Sequence, residues 1–127
     1  MSPQKSLHRG VLVVEDDAAL RGLFGVMLEA EGYEVFQAEN GQAGLEMLKS
    51  HSSEINVVIT DLGLPRIGGV ELISRVRQVH PGVKIIGTSG FGARAVRESV
   101  LAAGADDFVA KPFSLPDVIG KVKALSP

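Results

Sequence analysis

Five polar residues directly follow or end short apolar runs in this 127-residue chain. Glu15 and Asp16 follow Val11-Leu12-Val13-Val14, Asp61 follows Val57 to Thr60, Thr88 follows Val83 to Gly87, and Lys111 follows Asp107 to Ala110. Brought together, they amount to three carboxylates, a hydroxyl and an ammonium. Carboxylates that share a site repel, and one would normally be forced to keep its proton. A bound divalent cation removes that conflict. Oxygen-only ligands, with no His or Cys among them, favour Mg²⁺ or Mn²⁺ over zinc. Mg²⁺ takes one or two carboxylates and keeps waters, which leaves room for a phosphate oxygen. Lys111 adds a second positive charge, and Thr88 a hydrogen-bond donor. Such a set suits phosphoryl transfer, in which positioning and charge neutralisation do most of the catalysis. A carboxylate is then the nucleophile, and the product is an acyl phosphate.

These residues meet only if the apolar runs are strands that point the same way. Val57 to Thr60, ended by Gly63 and Pro65, is short and β-branched, as a strand buried on both faces of a parallel sheet should be. Val11 to Val14 is a second such run. From Asp17 the period changes. Leu20, Leu23, Phe24, Met27 and Leu28 recur as one face of a helix, with Asp17 as N-cap and Gly32 at C′. Tyr33 to Ala38 is a weaker strand. Asn40 caps a helix to about Ser50, with Leu45 and Leu48 inward. A loop over Arg66-Ile67-Gly68-Gly69 leads to a helix whose face is Leu72, Ile73, Val76 and Val79, ending before His80-Pro81-Gly82. Val83 to Gly87 is a strand. Ala93 to Ala103 is a helix with a thin apolar face of Val96, Val100 and Ala103, ended by Gly104. Asp107 to Ala110 is the last strand. Ser114 caps the last helix, through Leu125, with Pro116 tolerated in its first turn and Asp117 at the capping-box position.

Strict alternation of strand and helix predicts a doubly wound α/β (βα)5 sandwich, a parallel sheet with helices on both faces. Ligands bind such sheets outside the carboxyl ends of the strands. Length and composition agree with one domain. The chain is 45% apolar and 22% charged, with net charge −2. No basic run predicts a nucleic-acid footprint. No apolar run is long enough to span a bilayer, and residues 1–8, a polar tail, lack the apolar middle of a signal peptide. The absence of cysteine excludes disulfides and thiolate sites and suits the cytoplasm. Repeats, low-complexity segments and internal linkers are all absent.

Each candidate also has a plain structural reading. Asp61 could cap a turn. Glu15 and Asp16 could serve a helix N-terminus, although Asp17 fills that place better. Thr88 could be a β-branched strand end and Lys111 a solvated surface lysine. His8, His51 and His80 lie on the tail or at helix ends. They read as exposed and non-catalytic, so a phosphodonor histidine must belong to another protein.

In their order and spacing, Val11 to Asp17, Val57 to Pro65, Thr88-Ser89-Gly90, Ala103-Gly104-Ala105 and Lys111-Pro112-Phe113 resemble the receiver domain of two-component response regulators over residues 9–126. The resemblance implies a flavodoxin-like sheet of order 2-1-3-4-5. It implies that Asp61 is the phosphoacceptor and that Asp16 ligates Mg²⁺ directly. Glu15 would act through water, and Gly63 would offer its backbone carbonyl. Lys111 would pair with Asp61 and then with the phosphoryl group, and Thr88 would bond a phosphoryl oxygen. Phe108 occupies the family's aromatic switch position, although core packing accounts equally for an apolar strand residue there. Lys111-Pro112 resembles the family's cis peptide. Glu15 replaces the more frequent Asp. Gly63 has no side chain to orient a hydrolytic water. Gly68 and Gly69 fall where an acidic residue and one glycine are usual, and Ser89 where Ala is common.

The implied partners are a histidine kinase or phosphotransfer protein as donor, and a downstream protein target or output domain. The chain is then a phosphoacceptor that catalyses its own phosphorylation and dephosphorylation, a monomer or a phosphorylation-dependent dimer. It could stand alone or be a segment of a hybrid histidine kinase or of a larger regulator. An aspartyl-phosphate phosphatase would also use a strand-end Asp, Mg²⁺, Thr and Lys. Such enzymes carry a second acid two residues on, where this chain has Gly63.

Overall fold

The computed structural model describes residues 9–63, 67–90 and 93–126, apart from the side chains of 93–96. Strands and helices alternate: β1 (Gly10–Val14), α1 (Ala18–Ala30), β2 (Glu34–Ala38), α2 (Gly41–Ser50), β3 (Ile55–Asp61), α3 (Gly69–Val79), β4 (Lys84–Ser89), α4 (Ala93–Ala103), β5 (Asp107–Ala110) and α5 (Leu115–Leu125). The sheet is parallel throughout and ordered β2-β1-β3-β4-β5. The expected tail, His8, Pro65, Arg66 and the Val96 side chain fall outside the described residues. Among the described residues, no helix is long and apolar enough to cross a membrane.

Two cores flank the sheet because strand side chains alternate between its faces. Leu12, Val14, Val58, Ile85 and Phe108 face α2, α3 and α4 through Leu45, Leu48, Leu72, Ile73, Val76 and Val100. Val11, Val13, Val57, Ile59 and Ile86 face α1 and α5 through Phe24, Leu28, Val118, Ile119 and Val122. A fully buried aliphatic side chain contributes about 1.5–3 kcal/mol, so burial on both faces fixes the register of every central strand. A slip of one residue would exchange the two cores.

The helix ends follow their sequence signals. Asp17 accepts from the Ala19 and Leu20 N–H groups, Asn40 from Ala43 and Ser114 from Asp117. Gly32 (φ 92°) and Gly104 (φ 119°) take the left-handed conformation that glycine adopts at no steric cost. At the first, Gly32 N–H donates to Glu29 and Tyr33 N–H to Leu28. Tyr33 is thereby used to close α1, and β2 begins one residue later than its apolar pattern suggests. The Lys111-Pro112 bond is cis, as the resemblance implied.

Two expectations need correction. Leu23 does not face the core: it is 52% exposed, while Gly25 is buried. A Cβ at Gly25 would stand 2.7 Å from Gln37 Nε2. That atom is the free end of an exposed side chain, and α1 is rolled toward Gly25 and Leu28 and away from Leu23. Nor are His51 and His80 free surface residues. Both are half-buried. His51 Nδ1 pairs with Glu54 at 2.9 Å and its ring lies 4.8 Å from Phe36, and His80 Nε2 is 3.0 Å from the Ile55 carbonyl oxygen.

Candidate functional site

The site assembles by continuing the strand alternation for two residues beyond the α1–α5 core. Val13, Ile59, Ile86 and Val109 pack on that side of the sheet, and two positions further on stand Glu15, Asp61, Thr88 and Lys111. One period-two rule thus carries four polar residues to one face at one edge. The register agrees, because Asp61 pairs with Thr88, and Thr88 with Val109. Asp61 and Thr88 belong to the ladder itself. The Leu62 N–H donates to the Thr88 carbonyl at 2.8 Å and Lys111 N–H to Ser89 at 2.8 Å, which locks the strand ends together.

The carboxylates are close and mostly sealed. Glu15 is 3% exposed and Asp61 9%, while Asp16 lies open at the rim. One oxygen from each of Glu15, Asp16 and Asp61 lies within 4.8 Å of the others. Lys111 Nζ stands 3.0 Å from Asp61 Oδ2 and 3.5 Å from Glu15 Oε1. Asp61 Oδ1 accepts the Gly63 N–H at 2.9 Å, so both oxygens of this carboxylate are held. Glu15 Oε2 accepts the Asp17 N–H at 3.1 Å. The Glu15 N–H donates to Ala38 at 3.0 Å and its carbonyl accepts Arg21 Nη1 at 2.7 Å. Sequence reasoning missed Arg21. Its signal was an arginine in the first turn after the acidic loop, within reach back to that loop.

Burial pushes the Glu15 carboxyl above its ordinary range. The Asp17 N–H opposes this, the charge of Asp61 and contact with Asp16 add to it, and Lys111 pulls back only in part. Burial alone would lower the Lys111 ammonium. The hydrogen bond and charge of Asp61, then Glu15, outweigh it and leave Lys111 above its usual value. The cluster therefore holds more negative charge than one ammonium balances. An all-oxygen donor set with surplus charge and one open carboxylate fits a hard divalent cation that keeps part of its water shell.

Phe108 is 5% exposed and packs in the α2–α4 core with Val100 and Ala105. Gly63 is exposed and its backbone lies against Asp61. Every expected site residue except Phe108 therefore lies at this edge, and Phe108 sits behind it on the other face.

The comparisons with known proteins agree. The family model "Response regulator receiver domain" matches residues 11–123. The chain is 38% identical, over 98% of its length and 52% of the relative's, to a probable transcriptional regulatory protein of Picosynechococcus. It is 34% identical to the sensor kinase CckA of Brucella abortus, over 91% of this chain and 12% of that one. Among solved structures, a CheY-like receiver domain protein from Methanospirillum hungatei superposes with TM-score 0.82 at 33% identity, covering 91% of each chain. A receiver domain from Clostridium thermocellum superposes with TM-score 0.86 at 24% identity, over 91% and 92%, which shows the fold alone. The sheet order and the matched family model together define a signalling receiver. This chain belongs to the response regulator receiver domain family of two-component systems. It spans about half the length, or less, of these curated relatives. Receiver domains bind Mg²⁺ at an acidic pocket, and Glu15, Asp16 and Asp61 form such a cluster here.

Proposed function

We propose that the chain accepts a phosphoryl group on Asp61 from a phosphohistidine of a kinase or phosphotransfer protein. The observation that carries this reading is the shared hold of Lys111 on Asp61 and Glu15. An Asp61 oxygen forms a bond to phosphorus as the histidine N–P bond breaks, and the donor imidazole leaves and takes up a proton. Lys111 orients the carboxylate before transfer and balances the incoming charge. The backbone of Gly63 and Leu62 keeps Asp61 aimed out of the sheet edge. Glu15, Asp16 and Asp61, with the Gly63 carbonyl, would hold Mg²⁺, and Mn²⁺ suits the same oxygens. Bound there, the metal neutralises charge on the transferring group.

The product carries roughly −1.5 to −2 charges at the former carboxylate. Thr88, buried and paired in register with Asp61, supplies a hydroxyl for the new oxygens. A local charge thereby biases a two-state equilibrium in the surface formed by α4, β5 and α5. The downstream partner reads that surface. Incubation with acetyl phosphate and Mg²⁺, followed by intact mass measurement, tests the assignment. One phosphoryl group should appear on the wild type and none on Asp61→Asn. Full labelling of the variant would sink the reading.

A further inference from the structure

Leu62 follows Asp61, and strand alternation sends its side chain to the opposite face of the sheet. It joins the α2–α4 core there. A Cβ placed on Gly87 would stand only 2.7 Å from Leu62 Cδ1 and 3.3 Å from Val100 Cγ1. A Cβ on Gly69, the first residue of α3, would stand 2.9 Å from Leu62 Cβ and 3.0 Å from its Cδ2. Leu62 thus fills side-chain room that two glycines leave on either side of it. Gly87 directly precedes Thr88 and pairs in register with Phe108. Leu62 also donates its backbone N–H to the Thr88 carbonyl.

We propose that Leu62 is a positioning residue for Asp61: seated over Gly87, between the start of α3 and Val100 of α4, it fixes the height of Asp61 against Thr88 and passes displacement of Asp61 to α4. The proposal rests on Asp61 being the phosphoacceptor. Close-packed interiors are not continuously deformable. A shift of the Asp61–Leu62 peptide on modification therefore moves the leucine side chain against α4. The same contact holds the carboxylate in its reactive place beforehand.

The geometry supplies its own test, because Leu62→Ala removes an isopropyl group and Gly87→Val adds one where Leu62 had been. Wild type, Gly87→Ala, Leu62→Ala and the double variant Leu62→Ala/Gly87→Val are compared. The readouts are the rate of acetyl-phosphate labelling, the amide shifts of α4 on adding beryllofluoride with Mg²⁺, and the thermal midpoint. Misplacing a reacting group by an ångström costs on the order of 100-fold. Each single variant should therefore label up to about 100-fold more slowly and lose most of the α4 response, and the double variant should regain both. A Leu62 that merely packs would lower the midpoint in the single variants and leave labelling and α4 shifts at wild-type values. That result overturns the proposal, as does a folded double variant that recovers neither property, or a double variant that does not fold while Gly87→Ala does. Should Leu62→Ala not fold, Gly87→Ala and the double variant decide the question. Wild-type protein that takes no phosphoryl group would instead overturn the Asp61 assignment beneath it.

Discussion

Lys111 and Asp61 are joined across a strand that separates them. Nζ stands 3.0 Å from Oδ2, although β4 lies between β3 and β5 in the sheet. The same ammonium reaches Glu15 at the end of β1. One cation from the edge of the sheet thus balances two acids from its centre, and it stands where a metal would compete with it.

Replacing Lys111 should therefore move two properties in opposite directions. Lys111→Met keeps the stem and removes the charge. Mg²⁺ affinity should rise, because a competing cation is gone. Phosphoryl uptake from acetyl phosphate should fall about 100-fold, in line with the loss of one preorganised charge at a reacting group. A Mg²⁺ titration and a labelling time course on the same variant check both. A tighter metal with unchanged labelling would reduce Lys111 to a charge balance.

The acids predict a pH dependence of the metal-free fold. The Glu15 carboxyl is raised above its ordinary 4.5. Between that value and its folded value, the folded state holds more protons than the unfolded one. Stability contributed at this position is accordingly lost as pH rises through the window. Lys111 shifts in the same sense at a much higher pH: raised above 10.5, it stabilises fully below that pH, and the gain is lost only as pH rises through its folded value. In EDTA, Glu15→Gln should therefore gain thermal midpoint over wild type as pH is raised from 4.5 toward neutrality. Roughly 4 °C is expected for each kcal/mol of relieved burial and repulsion. Saturating Mg²⁺ should shrink the difference. Parallel midpoint curves across that range would contradict it.

The site edge was legible because it rests on the simplest period in the chain, whereas the strand order was implied only by the family resemblance. Buried runs that end in Glu15, Asp61, Thr88 and Lys111 advance two residues at a time from core to chemistry. Helix faces are less determinate. The stripe Leu20 to Leu28 admits more than one rotation, and the structure takes the one that buries Phe24, Gly25 and Leu28 and leaves Leu23 outside. The Phe36 ring against His51 and the Ile55 carbonyl against His80 are brought there by chain reversals that no local pattern encodes. The hold of Arg21 on Glu15 depends on a rotamer, and the seat of Leu62 on two glycines far apart in sequence.

Arg21 offers a separate prediction about the acidic loop. Its guanidinium holds the Glu15 carbonyl at 2.7 Å, and among the described residues no other hydrogen bond fixes that oxygen. Arg21→Ala should free the loop and weaken Mg²⁺ binding about tenfold, the worth of a charge-assisted hydrogen bond of about 1.5 kcal/mol. Arg21→Lys, which keeps a donor and a charge, should recover part of it. Equal weakening in both variants would assign the effect to packing of the guanidinium plane instead.

At the other end of the strands, Arg77 predicts a loss of stability without loss of chemistry. Its Nε and Nη2 donate to the Gly104 carbonyl at 3.1 and 2.7 Å, and Nη2 to Asp106 at 2.8 Å. Nη1 donates to the Pro81 and Val83 carbonyls. Asp106 in turn accepts the Ile85 N–H at 2.8 Å. One side chain of α3 therefore ties together the segments that enter β4 and β5, far from Asp61. Arg77→Ala leaves the Gly104, Pro81 and Val83 carbonyls without this donor and Asp106 without its cation, and should cost about 3 kcal/mol in urea unfolding. Labelling by acetyl phosphate, measured well below the unfolding midpoint, should stay within about twofold of wild type, because additivity holds for distant sites without shared partners. A matching fall in labelling would mean that the entry ends of β4 and β5 help to set Thr88 and Lys111 at their exits.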